Sequence, residues 1–228
     1  MNEYLRMLSE KRLTLIMSLP YNDPALCRAA FEAGADVVKV HINVEHRASG
    51  THFGRLAEER EALEEMLSHR AGPMGLVLGG SLEAVALDAK EAEKLPFAFH
   101  SVYAHHLPAW ASRSGKALMA ACDAACPPEL IAAMPGAGAD AVEASVIPGT
   151  EYGQPLSFLD LMKYRSITEA VKVPVIVPTQ RAIRPEETEM LVRCGVKAVM
   201  IGAVVTGKSE KTISEAVRAF RKAIDRLG

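Results

Sequence analysis

Aromatic residues and a strong net charge are both scarce in this sequence. Only 5% of the 228 residues are aromatic while 49% are hydrophobic, so the core must consist mainly of Ala, Val, Leu, Ile and Met. Such a core is typical of α/β proteins. The formal net charge is −2, with Lys and Arg scattered along the chain. This distribution argues against a nucleic-acid partner, although it leaves room for a local anion site.

Long apolar runs and paired cysteines are also lacking. No run approaches the ~20 apolar residues that a membrane-spanning helix needs, and the charged, amphipathic start at 2–6 does not resemble a signal peptide. We therefore expect a cytoplasmic protein with no membrane partner. The four cysteines do not have metal-ligand spacing, so we expect reduced, mostly buried thiols. They are Cys27, Cys122, Cys126 and Cys194.

Short apolar segments alternate with helical patterns along the whole chain. Strands are predicted at 13–19, 36–43, 74–80, 97–105, 116–123, 139–147, 175–177 and 198–201. Helices are predicted between them, including one over 51–70 and a last one over 211–227. Eight such repeats predict a (β/α)8 TIM barrel, with a doubly wound open sheet as the alternative. No composition break divides the chain, so we expect residues 1–228 to form one domain.

The stretch 173–207 predicts strand, helix and strand, joined as a parallel right-handed crossover. The ends of two such strands commonly hold phosphate, because backbone amides and a following helix start are exposed there. Arg181 adds a positive charge that can fork onto phosphate oxygens. Two ordinary turns are the alternative. The predicted phosphate-binding residues are Arg181, Ala182, Gly202 and Ala203, with Gly149 and Thr150 completing the site.

Strand alternation selects the candidates for catalysis. In the second strand Val38, Val40 and Ile42 need the apolar outer face, so Lys39, His41 and Asn43 must point into the barrel. The same test on the sixth strand turns Glu143 and Ser145 inward. Lys39 and Glu143 can therefore approach one another, either as acid and base or as a structural ion pair.

Further ionisable residues follow other strands. His41 is a candidate proton shuttle or a structural histidine. Asp123, at the end of the fifth strand, is another catalytic candidate. The run 100–106 contains three histidines, of which one strand parity turns Tyr103 and His105 inward and the other His100 and His106. We expect no cofactor, with a divalent metal held by some of these groups as the alternative.

The C-terminal motifs resemble those of the ribulose-phosphate-binding barrels, and most closely the N-acetylmannosamine-6-phosphate epimerase family. The similarity lies in Pro174-Val175-Ile176, in Arg181, Ile183 and Pro185, and in Gly195 to Gly202. It implies a barrel that binds a sugar phosphate. The family's catalytic lysine after the third strand is replaced by Leu78-Gly79-Gly80-Ser81. Its catalytic glutamate after the seventh strand is replaced by Thr179-Gln180.

These observations predict a barrel that binds a phosphorylated small molecule and moves a proton beside a carbonyl, as an isomerase or epimerase does. Lys39, Glu143, His41 and Asp123 are the predicted catalytic residues. A Schiff-base or metal-dependent lyase or aldolase is one alternative, because a desolvated lysine can attack a carbonyl. A barrel without catalysis that acts as a sensor is the other. We also expect a homo-oligomer.

Overall fold

Eight parallel strands close into a barrel in the computed structural model, which describes residues 2–228. The barrel strands are β1 (Thr14–Ser18), β2 (Val37–His41), β5 (Met74–Val77), β6 (Phe99–Tyr103), β7 (Ala117–Cys122), β8 (Ala141–Ala144), β9 (Val175–Pro178) and β10 (Ala198–Ile201). Their order is β1-β10-β9-β8-β7-β6-β5-β2, and β1 also pairs with β2. The predicted (β/α)8 TIM barrel is therefore confirmed, and the open sheet is excluded because no strand is left at an edge.

Helices connect the strands. They are α1 (Glu3–Glu10), α2 (Pro24–Glu32), α3 (Leu56–Ser68), α4 (Leu82–Ala92), α5 (Pro128–Ala133), α6 (Phe158–Ala170), α7 (Thr188–Arg193), α8 (Ala203–Thr206) and α9 (Glu210–Asp225). Side chains cap several N-termini: Asp23 accepts from two amides of α2, and Ser157 begins α6 with a capping box. Glycines with positive φ, as at Gly34 and Gly195, end helices before the next strand.

The connection after β2 differs from the prediction. A short antiparallel hairpin of β3 (Val44–His46) and β4 (Thr51–Phe53) lies there, and we call residues 44–53 the roof hairpin. The predicted helix over 51–70 therefore begins only at Leu56. The reason is local, since Asn43 takes a left-handed backbone (φ 54°) and donates to Asp88, so the chain turns immediately after the strand.

The bottom of the barrel is closed by α1. Tyr4 and Leu8 are fully buried, and the Tyr4 ring stacks on Phe99 with 4.0 Å between centroids. Gly75 is required beneath this pair, because a Cβ there would lie 2.0 Å from the Phe99 ring. Each of these large side chains contributes about 1.5–3 kcal/mol by burial. The interior is therefore open only at the carboxyl ends of the strands.

Two features of the surface complete the fold. Within residues 2–228 no helix is long and apolar enough to cross a membrane. Apolar side chains are exposed on α5, α6 and α7, which are neighbours around the barrel. They are Leu130, Phe158, Leu159, Met162 and Met190, and Phe158 is 78% exposed.

Candidate functional site

A cavity of about 690 Å³ occupies the open end of the barrel. The inward side chains of the strands form its floor and walls, and the roof hairpin contributes its upper side. Because α1 blocks the other end, polar groups inside the barrel can meet a ligand only from this cavity. It is also the face on which barrel enzymes carry their active sites.

Lys39 and Glu143 meet at the floor of the cavity. Lys39 Nζ donates to Glu143 Oε2 over 3.1 Å, and the two side chains are only 6% and 8% exposed. They come from β2 and β8, which lie four strands apart in either direction around the barrel. Ser101 and Ser145 also donate to the Glu143 carboxylate, over 3.3 and 2.8 Å. The carboxylate is thus held by three donors while still lining the cavity.

His41 lines the same cavity two residues beyond Lys39. Its ring packs between His46 and Phe53 of the roof hairpin, with centroids 4.5 and 4.6 Å away. Burial, helped by the charges of His46 and Lys39, holds the His41 pKa well below its ordinary value. The imidazole is therefore neutral near pH 7. Its Nε2 lies 3.4 Å from Ser18 Oγ, and its buried Nδ1 has no protein partner in the described chain.

Asp123 and two of the predicted histidines lie at the rim. His105 Nδ1 is 3.8 Å from Asp123 Oδ2, and both side chains are well exposed. His105 and His106 follow β6 in a short 3-10 turn (Ala104–His106). His100 instead points outward into the packing beneath α4, where burial lowers its pKa to about 4. Among residues 2–228 no group of three His, Cys, Asp or Glu side chains could hold a metal ion.

Two tyrosines on the cavity wall were not among the predicted site residues. Tyr103 is the last residue of β6 and faces the cavity. This is one of the two orientations that strand alternation allowed for residues 100–106. Burial, followed by the Glu143 charge, raises the Tyr103 pKa, so its phenol stays protonated and can donate. Tyr152 lies in the loop after β8, where no sequence pattern marks it.

Gln180 ties together the loops after β8 and β9. Its Nε2 donates to Tyr152 Oη (2.6 Å) and to Ser145 O (3.2 Å), and its Oε1 accepts from the Ile147 amide (3.1 Å). Both ends of this buried amide are therefore occupied. Gln180 follows the seventh barrel strand, where the epimerase family has its catalytic glutamate, and here the side chain holds the loops in place.

Some of the backbone amides predicted to bind phosphate already have hydrogen-bond partners within the protein. The Gly202 amide donates to Thr179 Oγ1 (3.1 Å), and the Ala182 amide donates to Gln154 O (2.9 Å). The helix α8 begins at Ala203, so the first-turn amides of Ala203 and Val204 have no intrahelical acceptor. Gly202 and Val204 line the cavity. The groups available to an anion here are therefore backbone amides.

Arg181 lies away from the cavity, contrary to the prediction that it faces an anion. Its guanidinium donates to Asp160 Oδ2 (2.9 Å) and Oδ1 (3.1 Å) and to Glu151 Oε2 (2.6 Å). Asp160 is fully buried at the start of α6. Burial alone would raise the Asp160 pKa, but hydrogen bonds from Arg181 and Ser157 lower it overall. Arg181 therefore joins the loop after β9 to α6.

Gly149 and Thr150 lie in a 3-10 turn (Gly149–Glu151) after β8. The Arg47 guanidinium lies against Gly149, since a Cβ on this glycine would come within 2.0 Å of Arg47 Nη1. Arg47 belongs to the roof hairpin, which leaves from β2 on the opposite side of the barrel. The Arg47 side chain of the hairpin therefore reaches the loop that follows β8.

Comparison with known proteins shows which class of structure the chain belongs to. No family model matches the sequence, and no curated protein matches it. Similar solved structures include a tryptophan synthase from Mycobacterium tuberculosis, with 16% identity, 98% of each chain covered and a TM-score of 0.75. The fold is a (β/α)8 barrel. A thiamine phosphate pyrophosphorylase from Pyrococcus furiosus is 17% identical (95% and 98% covered, TM-score 0.65). A structure described as native KDPGal is also 17% identical (95% and 97%, 0.65). At these identities the likeness shows the fold alone.

The barrel interior brings together a particular set of chemical groups. A carboxylate and an ammonium group lie in contact, a protonated phenol faces the same space, and a neutral imidazole lies beside them. A carboxylate can accept a proton from carbon, while cationic and phenolic donors stabilise negative charge on oxygen. These groups are ones that can take part in proton transfer.

Proposed function

We propose that this barrel is an enzyme that binds a phosphorylated small molecule and transfers a proton beside its carbonyl group, as isomerases and epimerases do. The observation that carries the proposal is the Lys39–Glu143 contact, which is buried and yet lines the cavity. A purely structural pair needs no access to a ligand. Here three donors hold the carboxylate in one orientation from the walls, which is the preorganisation that a general base requires.

The reaction proceeds through an enediolate in this proposal. Glu143 takes the proton from the carbon beside the carbonyl, and the C–H electrons move onto the carbonyl oxygen. Lys39 and Tyr103 face that oxygen and stabilise its charge. For an isomer, Glu143 returns the proton to the former carbonyl carbon, while the proton of the adjacent hydroxyl passes to the former carbonyl oxygen, so that the carbonyl forms at the adjacent carbon. For an epimer, Glu143 keeps the proton, a second acid on the opposite face protonates the same carbon, and the charge on oxygen re-forms the original carbonyl. No bound metal is needed to balance these steps.

The phosphate group would bind at the ends of β9 and β10. The amides of Ala203 and Val204 are its proposed donors, and Thr179 holds Gly202 so that the backbone can approach the anion. Gly149 and Thr150 lie in the turn after β8, two strands away from these amides, and give the phosphate no donor in this proposal. One of the similar structures supports a phosphorylated ligand by analogy, since it is named as a thiamine phosphate pyrophosphorylase. Arg181 contributes here only by holding the loop.

Proton exchange tests this proposal directly. Wild-type protein is incubated with a panel of phosphorylated aldoses and ketoses in D₂O, and loss of the C–H signal beside the carbonyl is followed by NMR. We expect Glu143→Gln to slow exchange by at least about 10²-fold, the usual contribution of a general base. The matched control is Glu91→Gln, which alters an exposed pair with Lys94. Exchange that proceeds equally fast in Glu143→Gln would refute the proposal, and binding without any exchange in wild type would favour a sensor.

A Schiff-base lyase is the second candidate, and one observation favours it. Among the described residues Lys39 is the only lysine that lines the cavity, and its partner Glu143 can accept the proton that Nζ must lose before it attacks a carbonyl. Borohydride reduction in the presence of phosphorylated keto compounds traps an imine as a permanent adduct. Mass spectrometry would then place the adduct on Lys39, and its absence in Lys39→Met would serve as the control.

A further inference from the structure

Arg47 is a cation at the mouth of the cavity. It lies at the turn of the roof hairpin, lines the cavity and is largely exposed. Within residues 2–228 it makes no ion pair and no side-chain hydrogen bond. Arg181, by contrast, is saturated by Asp160 and Glu151. An arginine whose five donors remain free above a cavity is available to a ligand.

The position of Arg47 depends on two parts of the chain that are distant in sequence. The roof hairpin carries Arg47 away from β2. Phe53, at the end of the hairpin, packs on His41 and so anchors the hairpin to β2. On the far side the guanidinium lies against Gly149, where a Cβ would displace it. Arg47 is also close enough to Tyr152 to affect its pKa. Burial raises the Tyr152 pKa overall, and the positive charge of Arg47 opposes part of that rise. The Arg47 guanidinium thus lies beside the loop that follows β8.

The proposed phosphate site lies two strands away, at the end of β10. Adjacent strands are separated by about 4.8 Å, so the two positions are roughly 10 Å apart. The Lys39–Glu143 pair lines the same cavity, with Glu143 on β8 and Lys39 on β2. An open-chain sugar phosphate that reaches from β10 across this pair therefore brings its other end to Arg47.

We propose that Arg47 binds a second oxyanion of the substrate, so that the preferred substrates are open-chain sugar derivatives with a phosphate at one end and an acidic group at the other. The planar guanidinium can form two parallel hydrogen bonds to a carboxylate or a phosphate. This inference rests on the proposed function, because that proposal supplies the phosphate site and the direction of the ligand.

Three matched compounds test the inference by isothermal titration. Glucitol 6-phosphate has one anionic group, 6-phosphogluconate adds a carboxylate, and glucitol 1,6-bisphosphate adds a second phosphate. We expect wild type to bind at least one of the two doubly anionic compounds about tenfold more tightly than glucitol 6-phosphate, equal to about 1.4 kcal/mol. Whichever compound gains shows which oxyanion Arg47 takes.

Variants assign that preference to Arg47. In Arg47→Met, the affinity for the doubly anionic compound divided by that for glucitol 6-phosphate should fall to about one. Arg218→Met removes a positive charge elsewhere, so any change in the ratio that it causes measures the general electrostatic effect and is subtracted. Arg218 is exposed on α9, far from the cavity, and also makes no ion pair within the described chain. Gly149→Ala should lower the ratio in the same direction, because its Cβ displaces the guanidinium. Arg47→Lys keeps the charge but loses the two parallel hydrogen bonds, so it should retain part of the preference.

The outcomes separate the two proposals. If glucitol 6-phosphate binds wild type and the ratio is the same in Arg47→Met, the inference is overturned while the phosphate site stands. If wild type shows no preference for either doubly anionic compound, the inference is likewise overturned. If none of the three compounds binds, the phosphate site and the inference fall together.

Discussion

Breaking the Lys39–Glu143 contact should destabilise the fold, because either single substitution leaves the other charge buried without its partner. Lys39→Met leaves the Glu143 carboxylate with only two serine donors, and Glu143→Gln leaves a buried ammonium group. Removing one partner of a buried pair costs about 3–5 kcal/mol. We expect about 3 kcal/mol, the low end of that range, because the cavity gives the remaining charge some access to water. For a chain of this length that corresponds to a melting temperature lower by about 6–12 °C.

The double variant decides whether the pair itself accounts for this cost. Lys39→Met with Glu143→Gln buries no unpaired charge, so it should lose no more stability than either single variant, which gives a coupling energy of at least about 3 kcal/mol. Urea unfolding at pH 7 measures all three. Lys94→Met, which breaks an exposed pair with Glu91, is the control and should cost less than about 1 kcal/mol. If the single variants cost no more than this control, the pair is solvated and the reasoning fails.

Three further predictions concern other parts of the molecule. Arg181→Met should cost about 3 kcal/mol in urea unfolding, because Asp160 is left fully buried without its cation, yet phosphate binding measured by titration should persist. The His100 pKa is lowered to about 4. The folded protein therefore resists a proton that the unfolded chain accepts below about 6.5, so stability that is complete above that pH is lost as the pH falls toward 4. His100→Gln should remove about 2 kcal/mol of this loss at pH 5, seen as a flatter dependence of melting temperature on pH, and an unchanged slope would contradict it. The predicted homo-oligomer should use the exposed apolar side chains of α6, so Phe158→Ser with Met162→Ser should lower the sedimentation coefficient, and an identical value in wild type and variant would argue against this surface.

The barrel could be predicted because every strand carries its own signal. Outward positions such as Val38 and Val40 must be apolar to pack against helices, so alternation alone turns Lys39 and His41 into the interior, where the structure has them. The glycine-containing turn that ends α2 recurs before β8 and β10, which marked the helix-to-strand junctions. These features are local, and a local pattern predicts them well.

The roof hairpin and the direction of Arg181 could not be predicted in the same way. The hairpin strands are three residues long and contain charged and polar side chains, so they carry no apolar run. Phe53 and His46 pack on His41 of β2, a contact that only the folded barrel provides. Arg181 is in a loop, where alternation ends. Its partner Asp160 lies 21 residues earlier on α6, and only the folded barrel brings the two together.

The contact between Arg47 and Gly149 links two loops that evolve on opposite sides of one barrel. A larger residue at 149 would displace the Arg47 guanidinium from its present position. In relatives of this chain, the loss of glycine at the position of 149 should therefore accompany a shorter side chain at the position of 47 or a shorter hairpin. Pairs of this kind would divide the relatives into two groups by the width of the cavity mouth, and hence by the size of the compounds that each group admits.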